Sequence, residues 1–237
     1  MLDLPEASAL DCPAWMSLAG PHSAFAERHG QAVRYPGELA PYAALAPEGD
    51  PAPGRGAMAA WEDLAGLVGP GGIAALPGIE EDPPAGWEVV SVVHAVQLVG
   101  PQVQPVEDPE AIRLGPEDVP EMLALVAATR PGPFAPRTIE LGTYLGFRRR
   151  GALIAMAGER LHPEGWTEIS AVCTAADCRG QGLATRLVLA LAAEIRGRGE
   201  VPFLHASAAN TEAIHLYEKL GFTIRRPMPF QRVRAPA

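Results

Sequence analysis

The sequence lacks the features of a membrane-spanning or secreted protein. No apolar run approaches the roughly 18–20 residues that a helix needs to cross a bilayer. The first ten residues carry acids, whereas a secretory signal starts with a basic segment followed by an apolar core. We therefore expect a cytoplasmic protein that makes no use of a membrane.

Cysteine is scarce. The three cysteines, Cys12, Cys173 and Cys178, show no metal-ligand spacing and have no histidine close by in the sequence. An odd number of cysteines is typical of a reducing compartment, and free cysteine is commonly a small core residue. We expect three buried or incidental thiols and no metal site.

Basic residues are outnumbered: the chain has 19 Lys and Arg against 28 Asp and Glu, a net charge of −9. Residues 1–109 carry a balance of −12 and residues 110–237 one of +3. An acidic chain is a poor ligand for nucleic acid, so we expect no nucleic-acid partner. The mildly basic second part is compatible with an anionic cofactor.

The first hundred residues are interrupted by proline and glycine, and residues 46–56 have the composition of a loop or linker. No cluster of chemically reactive side chains appears there. Proline-rich residues 101–110 are the predicted linker between an N-terminal domain, 1–100, and a second domain, 111–237. The pattern predicts a helix at 58–68, a strand at 73–76 and two buried, valine-rich strands at 87–93 and 96–99.

Beyond residue 110 the hydrophobic pattern is regular. Period-two alternation in the strand 166–174 predicts Glu168, Ser170, Val172 and Thr174 on one face, with Ile169, Ala171 and Cys173 on the other. Three arginines at 148–150 mark a hairpin turn whose tip we expect in solvent, with binding of phosphate or of an acidic partner as the lesser alternative. The remaining predicted elements are strands at 111–114, 143–147, 152–161, 201–206, 222–224 and 230–233, and helices that begin at Pro116, Gln181 and Thr211.

A glycine-containing turn joins the strand 166–174 to the following helix. Arg179, Gly180 and Gly182 stand at the mouth of that helix, where backbone N–H groups and the helix dipole favour an anion. A dinucleotide fingerprint would need a third small residue where Thr185 stands, and a triphosphatase loop would need Gly-Lys-Ser/Thr. The turn therefore predicts a site for another phosphate-bearing cofactor.

Two motifs together resemble the GCN5-related N-acetyltransferases (GNAT). The first is Arg179-x-x-Gly182-x-Ala184, and the second is the segment NTEAIHLYEKLGF, which runs from Asn210 to Phe222 and contains Tyr217. The segments EISAVCT, residues 168–174, and FLHA, residues 203–206, resemble the FR47-like subgroup. The resemblance covers residues 111–235 and implies an α+β fold with a mixed sheet of the acyl-CoA N-acyltransferase type.

The resemblance also implies site residues. Tyr217 would protonate the departing thiolate, and Asn210 would contact the pantetheine arm of coenzyme A. Glu168 is the first candidate for general base, with Glu159, His205 or a chain of waters as rivals. Cys178 stands where the family often has an aromatic residue or histidine, which leaves the glycine turn intact. The other cofactor-binding residues would be Val172, Cys173, Thr174, Arg179, Gly180, Gln181, Gly182, Leu183, Ala184 and Thr185.

The resemblance implies an acetyl-CoA-dependent N-acetyltransferase that works by direct attack of a primary amine in a ternary complex. The amine would belong to a small molecule or a peptide, in a pocket near residues 130–144. The alternative is a catalytically silent acyl-CoA-binding regulatory protein. A further hypothesis is that residues 1–100 form a degenerate GNAT-like lobe that shapes the acceptor cleft. A homodimer is a second hypothesis.

Overall fold

A computed structural model describes residues 5–47 and 56–237, without the side chains of residues 56 and 57. The predicted loop at 46–56 lies mainly outside the described residues. The described helices are α1 (Pro13–Ala19), α2 (Gly56–Val68), α3 (Val119–Thr129), α4 (Leu183–Gly197) and α5 (Thr211–Lys219). In the first part of the chain the strands are β1 (Glu27–His29), β2 (Ala32–Arg34), β3 (Ala43–Leu45), β4 (Ile73–Pro77), β5 (Glu88–Val93) and β6 (Ala95–Val99). The later strands are β7 (Ile112–Arg113), β8 (Tyr144–Arg149), β9 (Ala152–Glu159), β10 (Trp166–Thr174), β11 (Val201–Ser207), β12 (Thr223–Pro227) and β13 (Phe230–Arg234).

A mixed seven-stranded sheet carries the fold, in the order β12-β6-β11-β10-β9-β8-β7. Its neighbouring strands are antiparallel except β10 and β11, which run parallel. Helix α4 connects those two strands, as a parallel pair requires. Two three-stranded sheets, β1-β2-β3 and β4-β13-β5, complete the architecture. The predicted α+β class with a mixed sheet is confirmed.

Helix α4 covers one face of the large sheet. Leu187, Val188, Leu191 and Ile195 are buried against the sheet and recur at helical spacing. Helix α3 and the N-terminal segment pack on the opposite face, where Met122 meets Met156 and where Trp15 joins Trp166 in another cluster. The sheet is therefore buried on both sides, and its own strands provide the frame for a site.

Strands from the first part of the chain interleave with strands from the second. β6 lies between β11 and β12, and β13 lies between β4 and β5. The predicted linker packs on α4, where Asp108 accepts two hydrogen bonds from Arg186. One sheet thus continues across residues 101–110, and the division of the chain into two domains stays a prediction.

Strand β5 corrects one expectation. Residues 87–93 were expected to be buried, but Val89 and Val93 are 40% and 49% exposed. β5 is an edge strand that pairs with β13. Valine is common in strands because it fits the pleated backbone, so a valine-rich run does not reveal which strand is at an edge.

Candidate active site

A cleft opens where β10 and β11 separate. The two strands pair from Trp166 opposite Val201 to Ile169 opposite Leu204. Beyond this point they diverge, and a cleft of about 770 Å³ extends from the gap to the start of α4 and to α5. The end of α3, at Thr129 and Arg130, lines its other side. Polar backbone of the two diverging strands thus faces an open space.

A β-bulge in β10 shapes the mouth of this cleft. Ala171 has a φ of 52°, and the register with β9 shifts between Ser170 and Cys173. The predicted two-face alternation is wrong past Ser170, since Val172 packs with Ile169 under α4 while Ala171 and Cys173 face α3. The reason is physical: an extra residue in one strand shifts the period-two pattern by one position.

The glycine turn forms the entrance to α4 in the way that the sequence predicts. Gly180 and Gly182 both have a φ of 74°, and a side chain at either position would find open space. Glycine is therefore required by the backbone conformation alone. The N–H of Arg186 closes the first α-helical bond, to Gly182 O at 3.1 Å, so the preceding N–H groups have no intrahelical acceptor. Those groups and the helix dipole form a cradle for an anion.

The three-arginine turn, residues 148–150, contacts the glycine turn. Arg149 Nη2 donates to Gln181 Oε1 at 2.6 Å, and Arg149 Nη1 lies 3.8 Å from Cys178 Sγ. Arg148 forms ion pairs with Asp118 and Glu121. Two of the three arginines are thus held by neighbouring side chains, and Gln181 is held by Arg149 beside the cleft.

Helix α5 contributes the two residues of the second motif. Asn210 caps the helix, because its Oδ1 accepts from Ala213 N at 3.1 Å. Tyr217 lies later on the same helix, lines the cleft and is 8% exposed. Burial raises the pKa of Tyr217 to about 12. The phenol therefore keeps its proton at any physiological pH.

A buried ionic group lies beneath the cleft. Arg160 Nε and Nη2 donate to Glu168 Oε2 and Oε1 at 2.9 and 2.6 Å, and Arg160 Nη1 donates to Tyr42 Oη at 2.7 Å. His205 Nδ1 is 2.6 Å from Glu168 Oε1. Burial alone would raise the pKa of Glu168, but the charge of Arg160 and the hydrogen bonds from Arg160 and His205 outweigh it and hold this pKa at about 2.

Gln97 sets the tautomer of His205. Its Oε1 accepts from Arg225 Nη1 at 2.9 Å, and its Nε2 donates to Leu10 O, also at 2.9 Å. The same amide nitrogen lies 3.1 Å from His205 Nε2. Nε2 must therefore accept, which leaves Nδ1–H to donate to the carboxylate of Glu168.

The structure brings most of the predicted site residues together. Those that line the cleft are Val172, Cys173, Thr174, Arg179, Gly180, Gly182, Leu183, Ala184, Thr185, Asn210 and Tyr217. His205 also lines it, whereas Glu168 lies beneath, and Glu159 is buried and paired with Arg198 at 2.9 Å. Sequence reasoning missed Arg160. A charged residue at the end of the apolar segment ALIAMAGER was the one available signal.

Two other features are absent from residues 5–47 and 56–237. No group of three or more His, Cys, Asp or Glu side chains in these segments could hold a metal ion. None of the helices there has both the length and the apolar character to span a membrane.

Comparisons with protein-family models and with solved structures show which proteins this chain resembles. Residues 144–232 match the family model of the FR47-like protein. A crystal structure from Novosphingobium aromaticivorans, assigned as an acetyltransferase of the GNAT family, is 39% identical, covers 96% of this chain and 98% of its own, and superposes with a TM-score of 0.85. A GCN5-related N-acetyltransferase from Kribbella flavida is 17% identical over 98% of this chain and 96% of its own, with a TM-score of 0.64, and so shares the fold. No curated protein sequence matches the chain. The identity and coverage of the Novosphingobium match confirm the predicted family: the chain belongs to the GNAT family of acetyltransferases.

Proposed function

We propose that the protein transfers an acetyl group from acetyl-CoA to a primary amine of a small molecule or peptide, within a ternary complex. The observation that carries this proposal is the cleft between β10 and β11, with the glycine turn at its entrance and the phenol of Tyr217 on its wall. Acetyl-CoA supplies the acetyl group as a thioester.

The residues at the cleft entrance fit the pyrophosphate of coenzyme A. N–H groups at the start of α4 lack intrahelical acceptors, and Arg179 brings a positive charge to the same end of the cleft. Leu183, Ala184 and Thr185 would offer the N–H groups. Gln181, which Arg149 holds, would keep the loop in shape.

The diverging strand β10 fits the amide-containing arm of the cofactor. Past Ile169 its edge toward β11 has no ladder partner within the described segments, so its peptide groups are available to a ligand. Val172, Cys173 and Thr174 would bind the arm on this edge, with Asn210 opposite. The bulge at Ala171 would allow a backbone N–H to reach the carbonyl of a bound thioester.

Tyr217 would act as the general acid. Its raised pKa keeps a proton on Oη, where a leaving thiolate would need one. This role stays a proposal.

Glu168 is a weaker candidate for the general base than its sequence position indicates. Both of its oxygens accept hydrogen bonds from Arg160, and its pKa of about 2 makes it a poor proton acceptor. We infer that Glu168 holds Arg160 and His205 in place, and that water removes the proton of the amine.

The N-terminal segment would shape the acceptor side of the cleft. Tyr42 comes from this segment and accepts a hydrogen bond from Arg160, which lines the cleft. Its description as a degenerate GNAT-like lobe, the homodimer and the cytoplasmic location all stay predictions.

Release of free thiol from acetyl-CoA, measured across a panel of amines, tests the proposal. The proposed transfer predicts release that depends on both the amine and the protein. Binding of acetyl-CoA without release for any amine would favour the catalytically silent regulatory protein.

A further inference from the structure

The acceptor side of the cleft is cationic. The charged side chains that line the whole cleft are three arginines and one glutamate: Arg130, Arg160, Arg179 and Glu212. Arg179 belongs to the glycine turn and Glu212 to the first turn of α5, which leaves Arg130 and Arg160 on the side of α3. Glu168 balances the charge of Arg160, so the unbalanced positive charge on this side among the described residues is that of Arg130. A simple alkylammonium ion beside Arg130 would meet a charge of its own sign, which is unfavourable.

Arg130 is an unusual residue for its position. It ends α3 in the left-handed conformation, with a φ of 51°, and its side chain has no ion-pair partner among the described residues. Its charge is therefore available to a ligand in the cleft.

Arg160 has N–H donors that are not used by the described residues. A guanidinium carries five N–H donors, and Glu168 and Tyr42 together accept three hydrogen bonds from it. One N–H on each terminal nitrogen remains without an acceptor in the described part of the chain. Since Arg160 is almost fully buried yet lines the cleft, a ligand oxygen would supply the missing acceptor.

Tyr144 provides a second, independent observation. Its ring packs against Phe134 at 5.5 Å between centroids, and its hydroxyl is buried without a hydrogen-bond partner in the described residues. Tyr144 packs in one cluster with Ala171 and Cys173, which line the cleft. The charges of Arg160, Glu168 and Glu159 also act on its hydroxyl. A buried hydroxyl without a partner is costly, and in a native protein it calls for a ligand or a water.

These observations together concern the acceptor, and the inference rests on the proposed acetyl transfer. We propose that the acceptor is a small amino carboxylate, whose carboxylate is bound by Arg130, by the spare N–H groups of Arg160 and by the hydroxyl of Tyr144. The carboxylate would offset the positive charge of the acceptor side and would satisfy the unpaired donors. It would also fix the amine relative to the gap between β10 and β11.

Matched triplets of acceptors test this proposal by thiol release from acetyl-CoA: alanine, alaninamide and ethylamine, then phenylalanine, phenylalaninamide and phenylethylamine. The amino acids are expected to have a KM at least about ten-fold below that of both partners, as an ionic hydrogen bond of ordinary strength implies. Preference for the acid over the amide is the informative comparison, because the less basic amide offers more neutral amine at the same pH.

Two variants assign the effect to residues. Tyr144→Phe removes a hydroxyl that has no partner among the described residues, so it should not lower stability. It should raise the KM for the amino acid about ten-fold without changing the KM for acetyl-CoA. Arg130→Gln should do the same. Arg150→Gln is its matched control, because Arg150 also has a positive φ, 52°, but lies at the tip of the β8–β9 turn.

Titration of N-acetylalanine into the protein saturated with coenzyme A gives a readout that needs no turnover. Binding that weakens about ten-fold in Tyr144→Phe supports the inference, and absence of binding overturns it. Equal turnover of amines, amides and amino acids overturns the inference and leaves acetyl transfer standing. If no acceptor is turned over, acetyl transfer fails and the titration alone decides whether a carboxylate binds.

Discussion

Arg160 and Glu168 form a bidentate ion pair under the cleft, with both side chains buried and N–O distances of 2.9 and 2.6 Å. Such a pair depends on its partners, because removal of one charge leaves the other buried and uncompensated. We infer that Glu168, a candidate for general base by its place on the strand, supports the structure beneath the cleft.

Replacing Glu168 with glutamine should mainly affect stability. The free energy of unfolding is expected to fall by about 3–5 kcal/mol, since the charge of Arg160 would stay buried. Urea unfolding would measure this, and a second change, Arg160→Met, should recover part of the loss. Glu212→Gln, at an exposed carboxylate on α5, is the control and should stay within about 0.5 kcal/mol. Unchanged stability with a large fall in kcat would instead identify Glu168 as the base.

His22 should make the protein sensitive to mild acid. Burial and the charge of His162 lower the pKa of His22 from 6.5 to about 4, and its Nδ1 lies 2.9 Å from Tyr35 Oη. Between these pH values the unfolded chain binds the proton and the folded chain does not, so stability falls as pH falls from 6.5 to 4, by about 3 kcal/mol in all.

Unfolding curves from pH 7 to pH 4.5 would measure that loss. His22→Gln should flatten the dependence, while His215→Gln, at an exposed histidine, should leave it unchanged. Below pH 4.5 the unfolded chain binds protons at Glu168 and Glu200, whose pKa values in the folded protein are both about 2. This adds a separate loss of stability as the pH falls from about 4.5 to about 2. An identical slope in the His22 variant would contradict the assignment.

Regular periodicity made much of the fold predictable. The bounds of β10, Trp166–Thr174, agree with the prediction, and α4 begins two residues after its predicted start because Gly182 caps it. The direction of side chains beyond Ser170 was not predictable, since nothing in the sequence marks the bulge at Ala171. The glycine turn and Tyr217 were found because they belong to local motifs.

The sequence predicted an acceptor pocket near residues 130–144, a range that includes Arg130 and Tyr144. The other groups on the acceptor side could not be predicted, because they are far apart in the sequence. Tyr42, Tyr144, Arg160 and His205 meet only when the sheet forms, across as many as 163 positions between Tyr42 and His205. His205 lies in the FLHA segment of the family resemblance, whereas Tyr42, Tyr144 and Arg160 belong to no local pattern. The Arg160–Glu168 pair spans the connection between β9 and β10, so its geometry depends on the strand register.

Removing the hydroxyl of Tyr217 should slow turnover without weakening cofactor binding. Tyr217→Phe is expected to lower kcat about 100-fold, the usual effect of losing a general acid, with the KM for acetyl-CoA within two-fold. Since the pKa of Tyr217 is about 12, this residue should cause no decline of rate between pH 7 and pH 10. Tyr35→Phe, whose hydroxyl contacts His22 outside the cleft, is the control. A variant with wild-type kcat would exclude the role.

Titration calorimetry of acetyl-CoA with the wild-type protein and Gly182→Asp tests the central claim most directly. We expect saturable heat for the wild type and a loss of affinity in the variant. The aspartate would place a negative charge in the anion cradle, and its side chain would strain the backbone that forms the cradle. Gly199→Asp is the matched control: Gly199 has a φ of 80° and open space around it, but lies beyond the other end of α4. It should lose similar stability and keep its affinity for acetyl-CoA. Absence of heat in the wild type, or equal affinity in Gly182→Asp, would contradict a coenzyme A site at this turn.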